Sequence, residues 1–268
     1  MKKTAIILLC AALGLASGCG SQDNGDAEQA LENVAEETTA EETFPGPVSA
    51  GLESLEGFDE DAWALYEKGV AAMNALTSRE EQFIVNTVQE ENGTSTEESV
   101  NVRLKRTGLG SDSPKFSASG HVETGGQDIP LDMYYKDGML YSISGNAKVK
   151  KQADYETSVA TVDILGEFLS QLKREYIVSI NKEEYADGTV FIGLAFNGPI
   201  NEVETSGSGE LILNAEGCII SEQFTLTVES EQDGSKSFIR QEVECMLINY
   251  GDTVSDIEFP DPNDFVEV

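Results

Sequence analysis

The stretch Glu81-Gln-Phe-Ile-Val-Asn-Thr-Val-Gln-Glu-Glu-Asn-Gly-Thr-Ser-Thr-Glu-Glu-Ser-Val-Asn-Val-Arg-Leu-Lys-Arg-Thr107 decides the fold class of this 268-residue chain. Apolar and polar residues alternate on both sides of Asn92-Gly93, and a period of two is typical of β-strands. Asn-Gly favours the tight turn of a β-hairpin. The stretch therefore predicts two antiparallel strands, Glu81–Gln89 and Glu98–Thr107.

The same pattern continues along the rest of the chain. Turns are predicted at Gly125-Gly126, Asp137-Gly138, Asp187-Gly188 and Asp233-Gly234. They separate further strands at Lys115–Glu123, Ile129–Tyr135, Met139–Ser144, Tyr176–Glu184, Thr189–Asn197, Glu204–Leu213, Cys218–Ser230 and Ser237–Tyr250. About ten strands result, and the near absence of proline between residues 49 and 254 indicates one continuous antiparallel sheet.

Two stretches have helical rather than strand spacing. Acidic residues precede the first, Asp59–Leu76, which predicts a helix that packs its apolar stripe against the sheet. Gly69 inside this helix is expected to permit a close approach to the sheet. The second helix is predicted at Val159–Lys173 from the spacing of Val162, Leu165, Phe168, Leu169 and Leu172.

The first nineteen residues predict an exported, lipid-anchored protein. Two lysines precede a short apolar run that ends in Ala16-Ser17-Gly18-Cys19, which is typical of a secretory signal rather than a membrane span. The end of the run resembles the lipobox of bacterial lipoproteins, although Ala16 stands where leucine is commonest. The resemblance implies removal of residues 1–18 as a signal peptide and lipidation of Cys19, with palmitate among the acyl chains. The alternative is an ordinary secretory signal with an incidental cysteine.

Residues 19–50 predict an acidic, flexible tether that follows the lipidated cysteine. They contain no basic residue and one aromatic residue, Phe44, so they bury too little apolar surface to offset the entropy of ordering. The folded domain is expected at 51–268. Loss of the two lysines in residues 1–18 changes the formal charge from −32 to −34. So acidic a chain repels phosphates, which excludes nucleic acid as a partner and leaves the lipid on Cys19 as the membrane attachment.

Two of the four cysteines, Cys218 and Cys245, remain for the folded domain. If Asp233-Gly234 forms a two-residue turn, Glu222 lies opposite Cys245. Cys218 is then four residues out of register, at roughly 3.3 Å per residue, which is too far for a disulfide. We expect two buried free thiols, whereas a shifted turn or strand bulges would permit a bridge.

Several features together resemble the LolA/LppX-like lipoproteins. They are the lipobox, the acidic tether, a leading helix, a long meander broken by a helix, and the final run Phe259-Pro-Asp-Pro-Asn-Asp-Phe265. The phrase Tyr134-Tyr-Lys-Asp-Gly-Met-Leu-Tyr-Ser-Ile-Ser-Gly-Asn-Ala-Lys-Val-Lys150 is similar to a branch of that group in Gram-positive bacteria. The resemblance covers nearly all of the folded part. It implies an α+β fold in which a strongly curved antiparallel sheet, a half-open β-barrel, holds two or three helices against its concave face.

The resemblance also implies an apolar cavity between sheet and helices that accepts acyl chains. The candidate lining residues lie on the two predicted helices and are Trp63, Tyr66, Val70, Met73, Phe168, Leu169 and Leu172. The alternative is that these side chains fill a closed core, as apolar helix faces usually do. An anchor on Cys19 disfavours free shuttling, so a bound lipid would be received, presented or sensed near the membrane.

The sequence offers no recognisable residue set for catalysis, for a metal or for another cofactor. His121 is the single histidine, and the chain has no CxxC pair and no HExxH motif, which disfavours a zinc site or histidine-dependent catalysis. The serines of Thr205-Ser-Gly-Ser-Gly209 lack a general base. We interpret the glycines of that stretch as a strand bend.

Two function hypotheses follow. The first is a non-enzymatic lipoprotein, anchored to the extracytoplasmic face of the bacterial cell membrane, that binds a hydrophobic ligand such as an acyl lipid. The second is an interaction scaffold that docks a protein partner in the cell envelope. An acidic surface would favour a basic partner and a salt-dependent association, whereas binding in a buried apolar cavity depends little on salt.

Overall fold

The computed structural model describes residues 57–91, 93–145, 147–200, 203–232 and 235–268. These residues form one open, curved sheet of twelve strands with helices packed on one face. All neighbouring strands are antiparallel except β12, which lies parallel to β6. The predicted curved antiparallel sheet with helices on one face is confirmed in these ranges. The predicted number of about ten strands is too low.

The elements follow one another along the chain with short connections. The strands are β1 (Ser78–Glu91), β2 (Thr94–Thr107), β3 (Lys115–Thr124), β4 (Gln127–Lys136), β5 (Met139–Ser144), β6 (Ala147–Gln152), β7 (Ile177–Glu184), β8 (Val190–Ile200), β9 (Val203–Leu213), β10 (Ile219–Gln232), β11 (Ser235–Tyr250) and β12 (Val266–Glu267). The helices are α1 (Glu60–Asn74), α2 (Tyr155–Val159) and α3 (Ile164–Gln171), with 3₁₀ segments at Arg174–Tyr176, Gly251–Thr253 and Pro262–Asp264. In the sheet the strand order is β12-β6-β5-β4-β3-β2-β1-β11-β10-β9-β8-β7.

The predicted hairpin forms the middle of the sheet. Strand β1 pairs with β2 on one side and with β11 on the other, and Phe83 lies opposite both Val102 and Cys245. The side chains of Phe83 and Val85 are fully buried. Gly93 in the turn has a φ of 81°, which glycine adopts without a steric cost. The chain therefore starts its sheet in the centre and adds β2 to β6 outward on one side. It builds the other side from the edge inward, from β7 to β11.

Helix α1 follows the predicted apolar stripe closely. The carboxylate of Asp59 caps it by accepting hydrogen bonds from the backbone nitrogens of Asp61 and Ala62, at 2.9 and 3.2 Å. A Cβ added to Gly69 would lie only 2.9 Å from Cγ1 of Ile219 on β10. The predicted close approach of this helix to the sheet is thus confirmed.

The prediction of one continuous second helix over Val159–Lys173 is wrong. The structure has two shorter helices, α2 and α3, because Asp163 begins a new helix between them. Its carboxylate accepts a hydrogen bond from the backbone nitrogen of Gly166 at 3.0 Å, as an N-cap does. The chain can therefore change direction between the two helices.

Glycines in β9 make room for aromatic rings. A Cβ on Gly209 would lie 2.1 Å from the ring of Phe224, and a Cβ on Gly207 would lie 2.6 Å from the ring of Phe196. Both rings contact Phe168 of α3, with centroids 5.1 and 5.4 Å away. The glycines predicted to mark a strand bend thus form the floor beneath an aromatic cluster.

The C-terminal stretch covers one edge of the sheet. The ring of Phe265 is buried against Tyr141 of β5, with centroids 5.2 Å apart, and the backbone nitrogen of Val268 donates to the carbonyl of Lys150 on β6 at 3.1 Å. The sequence pattern does not predict β6 or β12, because β6 is lysine-rich and β12 has two residues.

Residues 1–50, with the predicted signal peptide, the lipidation at Cys19 and the tether, lie outside the described residues. The predicted corner at Asp233-Gly234 lies outside them as well. Within the described ranges, no helix has the length and apolar character needed to cross a membrane.

A substitution at Gly209 tests the packing of the aromatic cluster against β9. We expect Gly209→Ala to lower the free energy of unfolding by about 1–3 kcal/mol, because the added Cβ would overlap the ring of Phe224. Ser208→Ala is the matched control, since Ser208 is the neighbouring residue and its side chain is exposed. Urea unfolding of both variants would measure the difference. Equal stabilities would contradict the packing described.

Candidate functional site

The structure brings all seven candidate lining residues together between the helices and the sheet. Six of them are buried in one continuous apolar core, and the seventh, Val70, is partly buried against it. The buried six are Trp63, Tyr66, Met73, Phe168, Leu169 and Leu172. Their role in binding a ligand stays a prediction.

Contacts within α1 and between α1 and α3 hold the helix side of this interface together. The rings of Trp63 and Tyr66 are stacked, with centroids 5.0 Å apart. The hydroxyl of Tyr66 donates to the carbonyl of Leu169 at 3.4 Å. Since Tyr66 is buried, this bond joins the two helices inside the core.

A small apolar space lies beside Phe168, where the helices end and the sheet continues. Its volume is about 10 Å³, roughly the room that one water molecule requires. The residues around it come from α3 and from strands β8 to β11, and they are Phe168, Ile200, Thr205, Leu226, Val228, Ile239 and Gln241. An acyl chain would fit here only after side chains, above all Phe168, had moved.

Four charged side chains form a buried ion cluster next to the apolar core. Arg106 of β2, which is 3% exposed, pairs with Glu81 of β1 and with Asp163 at the start of α3. Arg79 Nε lies 3.3 Å from Glu81, and an Nη of Arg79 lies 3.5 Å from Asp163. Arg79 also donates to the carbonyl of Met73 at 3.4 Å. The ion cluster therefore joins two strands to the end of α1 and the start of α3.

The charges of the ion cluster balance and reinforce one another. Burial alone would raise the pKa of Asp163, but the nearby charges of Arg106 and Arg79 lower it below its usual value. Burial would likewise lower the pKa of Arg106, but Asp163 and Glu81 raise it. Asp163 and Arg106 thus each favour the charged form of the other inside the protein.

Glu222 lies beside the ion cluster, and its carboxyl group forms no ion pair with any of the described residues. Its side chain, on β10, is 6% exposed, and its Oε2 has no hydrogen-bond partner among the described residues. Burial raises the pKa of Glu222 to about 8, and the charges of Glu81 and Asp163 add to the effect. Glu222 is therefore mainly protonated at neutral pH.

The two cysteines follow the predicted register. Glu222 lies opposite Cys245 in the ladder between β10 and β11, and both Cys218 and Cys245 are buried free thiols. Burial raises the pKa of each thiol. Both thiols are therefore protonated and poorly reactive at neutral pH.

A second concave feature lies near the ends of β1 to β4. This acidic groove has a volume of about 500 Å³ and carries four carboxylates. The residues around it are Asn86, Thr87, Val88, Glu97, Glu98, Ser99, Glu123, Thr124, Gly126, Gln127 and Asp128. In the described part of the chain, no group of three or more acidic, histidine or cysteine side chains is arranged to hold a metal ion.

The ion cluster is not among the predicted site residues, although strand alternation carries a signal for it. Glu81 shares the inward face of Phe83, Arg106 that of Leu104, and Glu222 that of Phe224. Charged residues at inward positions of several strands indicate a buried charge cluster. Asp163 has no such signal, because the predicted helix ran through it.

Removal of one charge from the ion cluster should lower the stability of the protein strongly. We expect Asp163→Asn to lower the free energy of unfolding by roughly 3–5 kcal/mol, because the buried arginines lose a partner. Asparagine still caps a helix, so loss of the N-cap contributes little. Asp154→Asn is the matched control, since Asp154 caps α2 from an exposed position. Comparable losses in the two variants, measured by urea unfolding, would contradict the role of the ion cluster.

No protein-family model and no curated protein matches this chain. Among solved structures, the chain is similar to LprF from Mycobacterium bovis, with 11% identity over 77% of this chain and 99% of that chain and a TM-score of 0.44. It is also similar to a DUF1329 family protein from Desulfovibrio piger (12% identity, 73% and 95% covered, TM-score 0.23). The third is a domain of an outer membrane lipoprotein-sorting protein from Vibrio parahaemolyticus (11% identity, 71% of this chain and 95% of that chain covered, TM-score 0.19).

Proposed function

We propose that this chain is a non-enzymatic lipoprotein, anchored through Cys19 to the extracytoplasmic face of the cell membrane, that binds a hydrophobic ligand such as an acyl lipid. The observation that carries the proposal is the continuous apolar interface between helices and sheet. It runs from Trp63 on α1, past Phe168 on α3, to Ile239 on β11.

An acyl chain can enter such an interface by exchanging places with side chains. Phe168 closes the space beside β9 to β11, and it is held by two other rings rather than by hydrogen bonds. Apolar contacts are not directional, so a methylene chain buries the same kind of surface as the side chains that it displaces. Movement of Phe168 would therefore cost little hydrophobic free energy once the chain has entered.

The anchor limits where such a ligand can come from. Residues 19–50 comprise 32 residues, which span roughly 110 Å when fully extended. The domain can thus reach ligands in or near its own membrane but cannot carry them away. We infer a role in receiving, presenting or sensing lipid at that surface.

Fluorescence of Trp63 tests ligand binding directly, because it is the single tryptophan of the chain. We expect a brominated fatty acid to quench its emission saturably in the unlipidated chain from residue 20 onward, and an unbrominated analogue to reverse the quenching. Phe168→Ala should bind more tightly, because it removes the side chain that fills the apolar space.

Phe259→Ala is the matched control for that variant. Phe259 packs against Tyr134, away from the core that contains Trp63, so its loss should leave the affinity unchanged. Absence of saturable quenching in both the natural chain and Phe168→Ala would contradict the proposal. Phe168→Ala should also unfold at lower urea, since a buried phenylalanine contributes about 3–5 kcal/mol.

A second candidate function, an interaction scaffold, is favoured by the acidic groove. The groove offers about 500 Å³ of open space, whereas the space beside Phe168 is about 10 Å³. Four carboxylates on a chain of formal charge −32 favour a basic segment of an envelope partner.

Crosslinking on intact cells at low and high salt distinguishes the two functions. For a scaffold, we expect partner capture to fall at high salt and to fall in a Glu97→Gln, Glu123→Gln double variant, because both carboxylates are exposed in the groove. Glu229→Gln with Glu242→Gln is the control of equal charge on exposed positions outside the groove. Capture that is equal in both double variants and at both salt concentrations would count against docking in the acidic groove.

A further inference from the structure

We propose that Glu222 is a proton-binding site that regulates how firmly the helices are held on the sheet: the interface stays closed while Glu222 carries a proton and loosens when the proton leaves. This inference rests on the proposed function, since it assigns the regulation of the same apolar interface. It is carried by the position of an unpaired carboxyl group beneath the helices.

Titratable side chains from both helices and from the neighbouring strands surround Glu222. The ion cluster lies on one side, the hydroxyl of Tyr66 on α1 lies close enough to be affected by the charge of Glu222, and Cys245 lies opposite on β11. The titratable and charged groups that face it are Arg79 and Glu81 of β1, Arg106 of β2, Asp163 at the start of α3, Tyr66 of α1 and Cys245 of β11.

The ion cluster has no spare positive charge for an ionised Glu222. Its two arginines already face two carboxylates, Glu81 and Asp163. The Nε atoms of Arg79 and Arg106 make no hydrogen bond among the described residues, so neither Nε donates to Glu222. The charges of the two arginines offset only part of the rise in the pKa of Glu222. A negative charge on Glu222 would therefore be a third buried anion beside two cations, which costs free energy unless water reaches it.

Water can reach Glu222 if the helices lift. The side chain points from β10 toward the face that α1 and the start of α3 cover, where Tyr66 and Asp163 lie. Exposure of this face would hydrate the carboxylate while the hairpin pairing of β10 with β9 and β11 stays intact. Local opening of the helices is thus the least costly way to admit the charge.

The direction of the pH effect follows from proton binding. In the closed state the pKa of Glu222 is raised from 4.5 to about 8, whereas a hydrated carboxyl returns to its usual value. The closed state therefore holds a proton that the open state releases. Between about pH 5 and 8, each unit of rising pH should favour opening about tenfold, and above pH 8 the effect should level off.

The thiol of Cys245 reports this opening. It lies opposite Glu222, is 5% exposed and is covered in the closed state. We would treat the full mature chain with N-ethylmaleimide at pH 6 to 9 and follow the Cys245 peptide by mass spectrometry. The ratio of the natural rate to the Glu222→Gln rate removes the intrinsic pH dependence of the thiol. The charge of Glu222 also raises the pKa of Cys245, which would lower this ratio, so a ratio that rises with pH reports opening. We expect this ratio to rise up to about tenfold per pH unit below pH 8.

Glu229→Gln is the matched control, because it lies on the same strand with an exposed side chain and should label like the natural chain. Amide hydrogen exchange separates local opening from complete unfolding. We expect amides of α1 to exchange faster in the natural chain than in Glu222→Gln as pH rises, while amides of β8 and β9 differ little. A ratio that does not change with pH, or equal effects on α1 and on β8 and β9, would overturn the proposal.

These outcomes are independent of ligand binding. Trp63 could be quenched by a brominated fatty acid while the labelling ratio stays constant, in which case the regulation is overturned and the binding stands. Conversely, a ratio that rises with pH and an unquenched Trp63 would support a proton-controlled helix layer without a lipid ligand.

Discussion

The buried pairing of Arg79 and Arg106 with Glu81 and Asp163 sets where the helices sit on the sheet. Apolar contacts are not directional, so the core alone would tolerate several positions of a short helix. Asp163 removes this freedom because it both caps α3 and faces two buried arginines. A displaced helix would leave buried cations without their counter-charge, which costs far more than a shifted apolar contact.

The sheet side of the apolar interface has less room to move than the helix side. The rings of Phe196 and Phe224 rest directly on the backbone of β9 at Gly207 and Gly209, so the floor has no room to yield. Above them, Phe168 belongs to a helix of eight residues. Any space for a ligand must therefore be made by α3 and its neighbours, since close-packed strands transmit strain rather than absorb it.

Strand spacing and turn residues could be predicted because they are local properties. The register that places Glu222 opposite Cys245 followed from counting residues across one turn, and the structure has that register. The break between α2 and α3 depends on the contact of Asp163 with Arg106. Strand β6 depends on its contact with the C-terminal stretch. Neither tertiary contact is visible in a local sequence period. The ion cluster does not follow from the apolar pattern, because apolar residues define the inward face of each strand. Alternation nevertheless assigns Glu81 and Glu222 to that same face.

The proposed anchor on Cys19 would hold Glu222 near a membrane surface, where an anionic membrane would change the local pH. An anionic membrane with a surface potential on the order of −30 mV concentrates protons about threefold, equivalent to roughly half a pH unit. The opening equilibrium depends on pH over the whole interval between the usual pKa of Glu222, 4.5, and its raised value of about 8. Distance from the membrane alone therefore changes the opening equilibrium by about threefold. A change in the pH of the surrounding medium can change it far more, so the medium rather than the tether would control the interface.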